Sequence, residues 1–410
     1  MLLFGLLLGA AISAQPTRVL FIGNSYVYSN DLPALLTQLA ASLGETVITA
    51  QSTPGGHTFN LHTQNTATQA LLAQGGWDFV VLQEQSQLPS FPLAQVEAEC
   101  FPFAAQLVQQ ARAASPCAEP VFMMTWGREN GDAQNCASWP PVCTYSGMQQ
   151  LLRDRYVQMA MDNQAWCAPV GAVWSAHRLQ HPAVPLYTDG SHPNVTGSYI
   201  AACTLFSTLF RRSCANAAFE PAGLPPGQGA LIRALASAIV ADSSATWNIG
   251  ASDPVAQATW TSLGAHQVLF ANQTVGAAAQ LWSFGDGATS TDADPLHDYG
   301  ASGLYEATLV VTDDCGRMDT LTLLIDLATR IGEVPAAGHA RWCPELGQLV
   351  IEGALSGAWE LLQADGKRMA QGRFGPGEQR IALPRSAAGL CHWRIRWRDG
   401  TGAAGRCLAP

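Results

Sequence analysis

Thr17-Arg-Val-Leu-Phe-Ile-Gly-Asn-Ser-Tyr26 is the stretch on which the reading of this chain turns. Val19 to Ile22 has the length and the β-branched and aromatic content of a strand buried on both faces. Gly23 and Asn24 break that run. Ser25 then falls on the loop beyond the strand's carboxyl end, which is where open α/β sheets bind ligands. A serine in that place is also what a turn or a helix cap would use, so a second signal is needed.

Tyr187-Thr-Asp-Gly-Ser-His-Pro-Asn194 supplies it. Asp189 and His192 share a turn-rich segment that opens a helix, with Asn194 placed as the N-cap. With Ser25 they complete a nucleophile, base and orienter set in the chain order Ser, Asp, His. The two stretches resemble the first and last blocks of the SGNH (GDSL-like) hydrolase family. Gly23-Asn-Ser-Tyr26 stands where that family more often has Gly-Asp-Ser-Leu, and the Asp-x-x-His block is intact. Gln51-Ser-Thr-Pro-Gly-Gly-His-Thr58 falls at the second block, with Gly56 as the better match for its glycine. Trp77 to Ser86 falls where a third strand ends in Gly-x-Asn, and here that position reads Gln83-Glu84-Gln85.

The resemblance covers residues 17 to 245 and implies a serine esterase that works through an acyl-enzyme. It makes Ser25, His192 and Asp189 the catalytic set. The oxyanion hole becomes the N–H groups of Ser25 and Gly56 with the Gln85 carboxamide, while Gln83 competes for that role and Asn24 can contribute. Loss of one such donor typically costs about 10²–10³ in rate, so the exchange of Asn for Gln matters.

Hydrophobic periodicity extends the strand-helix alternation. Strands are expected at 46–50, 79–82, 120–125 and 170–173, and helices at 31–44, 62–74, 93–114, 146–164, 194–211 and 228–240. Alternation of this kind means a parallel sheet covered on both faces. Ser25, Gly56 and Gln85 each follow a strand, so their loops gather at one sheet edge, where Asp189 and His192 can join them. The expected class is α/β, a flavodoxin-like three-layer parallel sheet, followed by two small all-β sandwich modules.

Composition bounds the function. The chain has 410 residues, enough for two or three domains, with 48% hydrophobic and 13% charged residues and a net charge of −10. No basic cluster offsets that charge, which argues against nucleic acid or an anionic membrane as a partner. Leu2 to Ala14 is too short to span a bilayer and reads as a signal-peptide core, although no Lys or Arg precedes it. Residues 1–14 are therefore expected to be a signal peptide, and the mature chain, 15–245 and beyond, to be secreted or at the cell surface without a membrane span.

The 11 cysteines make no CxxC, and the histidines are not interleaved with them, so neither a metal nor a cofactor is expected. Cys136 with Cys143, and Cys203 with Cys214, are near enough in sequence to close short loops. The odd count leaves at least one thiol free or paired between chains. Cysteine use fits an oxidising compartment.

Four further features draw notice near the expected site. Glu84 reads as a strand-end structural hydrogen bond rather than a second catalytic carboxylate. His57 either lines a pocket or sits on a surface loop. Trp126 either stacks on a sugar ring or belongs to the core. The irregular stretch Asp132 to Thr144 is long enough to wall a pocket.

Past residue 245 helical periodicity ends. Trp282-Ser-Phe-Gly-Asp-Gly287 runs an aromatic strand into a turn, and Tyr305, Ala307, Leu309 and Val311 alternate as a half-buried strand does. Residues 252–328 resemble the PKD (polycystic-kidney-disease) repeat, an immunoglobulin-like β-sandwich, which implies a spacer or a weak binding role. Residues 335–410 resemble the C-terminal sorting domain of type IX secretion substrates but lack its usual Tyr-Pro-Asn-Pro opening and lysine-rich tip. A plain β-sandwich competes with that reading, which would bring in export machinery as a partner. The expected substrate is an ester, an O-acyl group such as O-acetyl on carbohydrate, with a simple lipase or thioesterase activity as the near alternative. The rival expectation is a non-catalytic cell-surface glycan-binding or adhesion protein that keeps the same fold.

Overall fold

The structure, a computed structural model, describes residues 15–327 and, of the rest, 339–343, 348–352, 356–363, 367–377, 379–382, 389–398, 400 and 402–409. The signal-peptide reading of 1–14 lies outside the described residues. The chain divides into two compact units, one ending near residue 249 and the other formed by the remainder.

The first unit is built on a five-stranded sheet of β1 (Thr17–Ile22), β2 (Val47–Ser52), β3 (Phe79–Leu82), β4 (Glu119–Met123) and β5 (Trp166–Ala168), in the order β2-β1-β3-β4-β5. Every pairing is parallel. This is the flavodoxin-like order, whose ligand crevice lies at the carboxyl ends of the strands beside β1 and β3. Alternation along β1 sends Val19 and Phe21 to one face and Leu20 and Ile22 to the other, and all four are fully buried. Both faces are therefore covered by helices, at roughly 1.5–3 kcal/mol for each large apolar side chain removed from water.

Ten α-helices complete the unit among the described residues: α1 (Ser25–Tyr28), α2 (Leu32–Ala41), α3 (Phe59–Gln64), α4 (Thr66–Gln74), α5 (Leu93–Glu99), α6 (Phe101–Ala114), α7 (Tyr145–Asp162), α8 (Val170–Gln180), α9 (Val195–Phe210) and α10 (Gln228–Asp242). Asp31 caps α2 and Asn194 caps α9 through their side chains, as their positions suggested. No helix among the described residues is long and apolar enough to cross a membrane.

Three expected elements need correction. The fifth strand is Trp166–Ala168, not 170–173: Pro169 ends it, and Val170, Val173 and Trp174 then bury one side of α8. The expected helix 93–114 is two helices that part at Cys100, because Pro102 in the first turn of α6 has no N–H with which to continue the ladder. The expected helix 62–74 begins earlier, at Phe59, and divides at Asn65, whose side chain caps α4 by accepting from the Thr68 N–H at 3.0 Å.

Cys136 and Cys143 form a disulfide inside the 132–144 stretch. Trp139 fastens that stretch to its neighbour by donating to the Ser90 carbonyl at 2.9 Å. Cys203 and Cys214 are unbonded and buried. The Cys214 thiol instead faces the carbonyls of Cys203 and Arg233, at 3.7 and 3.5 Å.

The second unit is antiparallel. One sheet runs, in order, Leu296–Asp298, Gln267–Asn272, Ala258–Gly264, Gly402–Ala409, Gly389–Trp397, Gly357–Gln363 and Arg368–Phe374, so early and late strands share it. A four-stranded sheet contains Ala279–Ser283 and Leu304–Thr312, and a three-stranded one carries His339–Cys343, Gln348–Glu352 and Gln379–Ala382. Trp282, Phe284, Ala307, Leu309 and Val311 meet in one core, which accounts for their alternation.

Glu84 ties the sheet to the loop that precedes α3. Its carboxyl group is fully buried and accepts the Phe59 N–H at 3.0 Å and the Gln85 N–H at 2.5 Å. Burial outweighs those donors and pushes its pKa up to about 8. A native pKa above the unfolded one means that the folded state holds the extra proton across the interval between them. Stability should therefore be full below about pH 4 and fall as pH climbs toward 8, by on the order of 2–4 kcal/mol. Glu84→Gln should flatten that slope in urea melts taken from pH 5 to pH 9. A variant that loses as much as the parent over the same range would contradict a buried, protonated Glu84.

Candidate active site

The site begins where β1 runs out. Gly23 turns against the end of β3, and a Cβ there would lie 2.7 Å from Gln83 Oε1 and 2.8 Å from Val27 Cγ2, so any side chain would displace Gln83 and Val27. Asn24 caps α1, its Oδ1 accepting from the Tyr26 N–H at 3.2 Å. Ser25 is thereby the first helical residue, and its own N–H has no intrahelical acceptor.

Asn24 also reaches sideways. Its Nδ2 donates to the His57 carbonyl at 3.0 Å and so ties the 53–58 loop to the turn that carries Ser25. Gly56 in that loop has φ +69, a left-handed conformation that favours glycine, and its Cα faces open space.

Asp189 and His192 arrive on the opposite side, in a loop closed by the Tyr187–Pro193 bridge and by the Thr188 N–H donating to the His192 carbonyl at 2.9 Å. Asp189 Oδ1 accepts the N–H groups of Ser191 and His192 at 3.0 and 2.7 Å, while Oδ2 lies 2.7 Å from His192 Nδ1. These bonds, first the His192 N–H, bring the Asp189 pKa down to about 2. A carboxylate can only accept, so Nδ1 carries the proton and Nε2 is left as an acceptor. Ser25 Oγ lies 2.9 Å from that Nε2 and donates to it.

An aromatic stack holds the two loops in register. Trp126 lies parallel to Tyr26 on one face and to Trp174 on the other, with centroids 4.6 and 4.1 Å apart. Its indole N–H donates to the Ser191 carbonyl at 3.0 Å, and the Tyr26 hydroxyl meets Ser191 Oγ at 2.7 Å. Trp126 is fully buried, so of its two readings the core one describes it. Tyr26 and Ser191 carried no signal beyond lying next to Ser25 and His192.

The two glutamines are engaged elsewhere. Gln85 Oε1 accepts from the N–H groups of Gln87 and Leu88 at 2.8 and 3.0 Å, and its Nε2 donates to Gln87 Oε1 at 3.2 Å. Gln83 is fully buried, with Oε1 accepting the Asn24 N–H at 2.9 Å and Nε2 donating to the Glu84 carbonyl. The His192 and Asp189 side chains are open to solvent, 40% and 53% exposed. Tyr28, one helical turn after Ser25, is 50% exposed.

Comparison with known proteins separates the two units. Residues 246–325 match the PKD domain family. A microbial collagenase of Vibrio alginolyticus is 52% identical over 42 residues, 10% of this chain, and the chain spans only 5% of that relative's length. Among solved structures, a DUF4886 family protein from Bacteroides uniformis is similar at 21% identity, covering 55% of this chain and 95% of its own, with a TM-score of 0.49. A protein from Slackia heliotrinireducens assigned to the SGNH hydrolases is similar at 30% identity, covering 48% of this chain and all of its own, with a TM-score of 0.39. The first unit, by its strand order, has the flavodoxin-like parallel-sheet fold that SGNH hydrolases share, and residues 246–325 carry a PKD domain.

Proposed function

We propose that this chain is a secreted serine esterase of the SGNH type that removes O-acyl groups from carbohydrate. The observation that carries the reading is the continuous pair of contacts, Ser25 Oγ to His192 Nε2 at 2.9 Å and His192 Nδ1 to Asp189 Oδ2 at 2.7 Å. In this mechanism His192 Nε2 takes the Ser25 proton as Oγ bonds to the ester carbonyl carbon. Asp189 keeps the imidazole in its Nδ1–H tautomer and stabilises the cation that forms. The carbonyl oxygen gains the electron pair and is met by the N–H groups of Ser25 and Gly56. The intermediate then collapses, the C–O bond to the alcohol breaks, and His192 returns the proton to the departing oxygen. Water repeats the sequence on the acyl-Ser25 ester and releases the acid.

The carbohydrate part of the reading rests on openness. A site whose base and orienter are about half exposed leaves room for a bulky alcohol, and the exposed Tyr28 ring gives a sugar an apolar face to lie on. Export, and a role for the C-terminal strands in delivery or attachment outside the cell, complete the proposal. One observation favours the rival, a glycan-binding protein without catalysis: Gln83 is held on Asn24 and Glu84, and Gln85 on its own turn, so neither carboxamide is kept in reserve for an oxyanion.

Hydrolysis of p-nitrophenyl acetate separates the two. Ser25→Ala should lower kcat/KM by at least about 10³-fold relative to the parent chain. A parent chain with no activity would favour the glycan binder, and equal activity in both would remove Ser25 from the mechanism. Asn24→Ala, which cuts the tie to the His57 carbonyl, should lower kcat by about 10–100-fold with KM little changed. An unchanged kcat would mean that the Gly56 loop needs no such anchor.

A further inference from the structure

A chain of buried polar groups beneath Ser25 takes no part in the proton transfers above. Gly23 donates its N–H to the Ser52 carbonyl at 3.1 Å. The Ser52 hydroxyl lies 2.8 Å from Thr68 Oγ1, which lies 2.9 Å from His62 Nδ1. His62 Nε2 closes the circuit on the Gly23 carbonyl at 2.8 Å. His62 and Thr68 are fully buried and Ser52 nearly so. The circuit leaves from the N–H of Gly23 and returns to its carbonyl.

The protons in it have one consistent order. A carbonyl can only accept, so His62 Nε2 must carry the hydrogen. In the neutral ring Nδ1 is then an acceptor, which requires the Thr68 hydroxyl to donate to it and the Ser52 hydroxyl to donate to Thr68. Burial draws the His62 pKa down to about 4 against the pull of the Gly23 carbonyl, and the His57 ring, 5.2 Å away, acts in the same direction as burial. A neutral imidazole is what this order needs.

The clamped group is the peptide unit between Gly23 and Asn24. Its carbonyl is held by His62 and its N–H by Gln83 Oε1. Rotation of that unit would carry Asn24 with it and swing both the Ser25 N–H and the Ser25 side chain. We infer that His62 is a positioning residue for the nucleophile, fixed by Thr68 and Ser52, and that together with Gln83 it sets the angle at which Ser25 and its N–H meet the ester carbonyl. This inference rests on Ser25 being the nucleophile.

The test uses the full chain in two ways. With ¹⁵N-labelled histidine, NMR should show an imidazole in the Nε2–H tautomer that stays neutral down to about pH 5 and is the signal lost in His62→Gln. In steady-state assays on p-nitrophenyl acetate, Thr68→Val, which removes the donor to Nδ1 with little change of shape, should lower kcat about tenfold and leave KM within about twofold. Thr68→Ser keeps the hydroxyl and should recover most of that loss. A merely structural network would change the urea midpoint without that split between kcat and KM. An Nδ1–H tautomer for His62, or a kcat for Thr68→Val within about twofold of the parent, would overturn the inference. A parent chain inert toward the ester would overturn it together with the esterase reading, and is told apart because the loss is then not confined to the variants.

Discussion

The peptide unit between Gly23 and Asn24 is gripped on both edges by buried side chains, and the rest of the site is hung from it. His62 takes its carbonyl, Gln83 its N–H, and the absence of a side chain at Gly23 lets Gln83 come close enough to do so. Asn24 passes the constraint on in two directions, capping α1 so that Ser25 heads a helix and holding the loop that carries Gly56. Strand β1, buried on both faces, supplies the rigid base for the turn. Left unpaired, each of these buried groups would cost about 1–3 kcal/mol, so the arrangement has few alternatives open to it.

The site divides by solvent exposure. The groups that act in the proposed reaction, Ser25, His192 and Asp189, stand at or near the surface, while the groups beneath them, His62, Gln83, Glu84 and Trp126, are buried. Exposed side chains gain little from electrostatics in water, so their geometry has to come from beneath. On the His192 side that support is the Tyr26–Trp126–Trp174 stack, which fixes Ser191 through both its carbonyl and its hydroxyl. The stack includes the residue beside Ser25 and bonds to the residue beside His192. It therefore links loops that lie far apart in sequence without any direct bond between Ser25 and Asp189.

Much of this architecture is legible in the sequence. The apolar run of β1, its break at Gly23, and the Asp-x-x-His loop before Asn194 carry local signals, and the parallel sheet follows from alternation of strands and helices. What was hidden depends on partners distant in the chain. His62 is one polar residue in a short helix, and nothing near it in sequence shows that it meets Gly23. Gln85 matched a family position, but its carboxamide caps its own turn, a choice made by local backbone donors that a block comparison does not see. The misplaced fifth strand had a similar cause: a three-residue strand is too short to show a period, and the apolar residues after Pro169 belong to a helix. Cys203 and Cys214 are close in sequence, yet the structure leaves both as thiols, so proximity along the chain did not decide their pairing.

The central claim is that Ser25 is an activated nucleophile, and covalent trapping tests it most directly. The full chain would be treated with a fluorophosphonate, digested and read by peptide mass spectrometry. The account requires the phosphonyl group on Ser25, with labelling suppressed in His192→Ala. A chain that takes up no label, or takes it on another serine to the same extent when Ser25 is replaced, would contradict it.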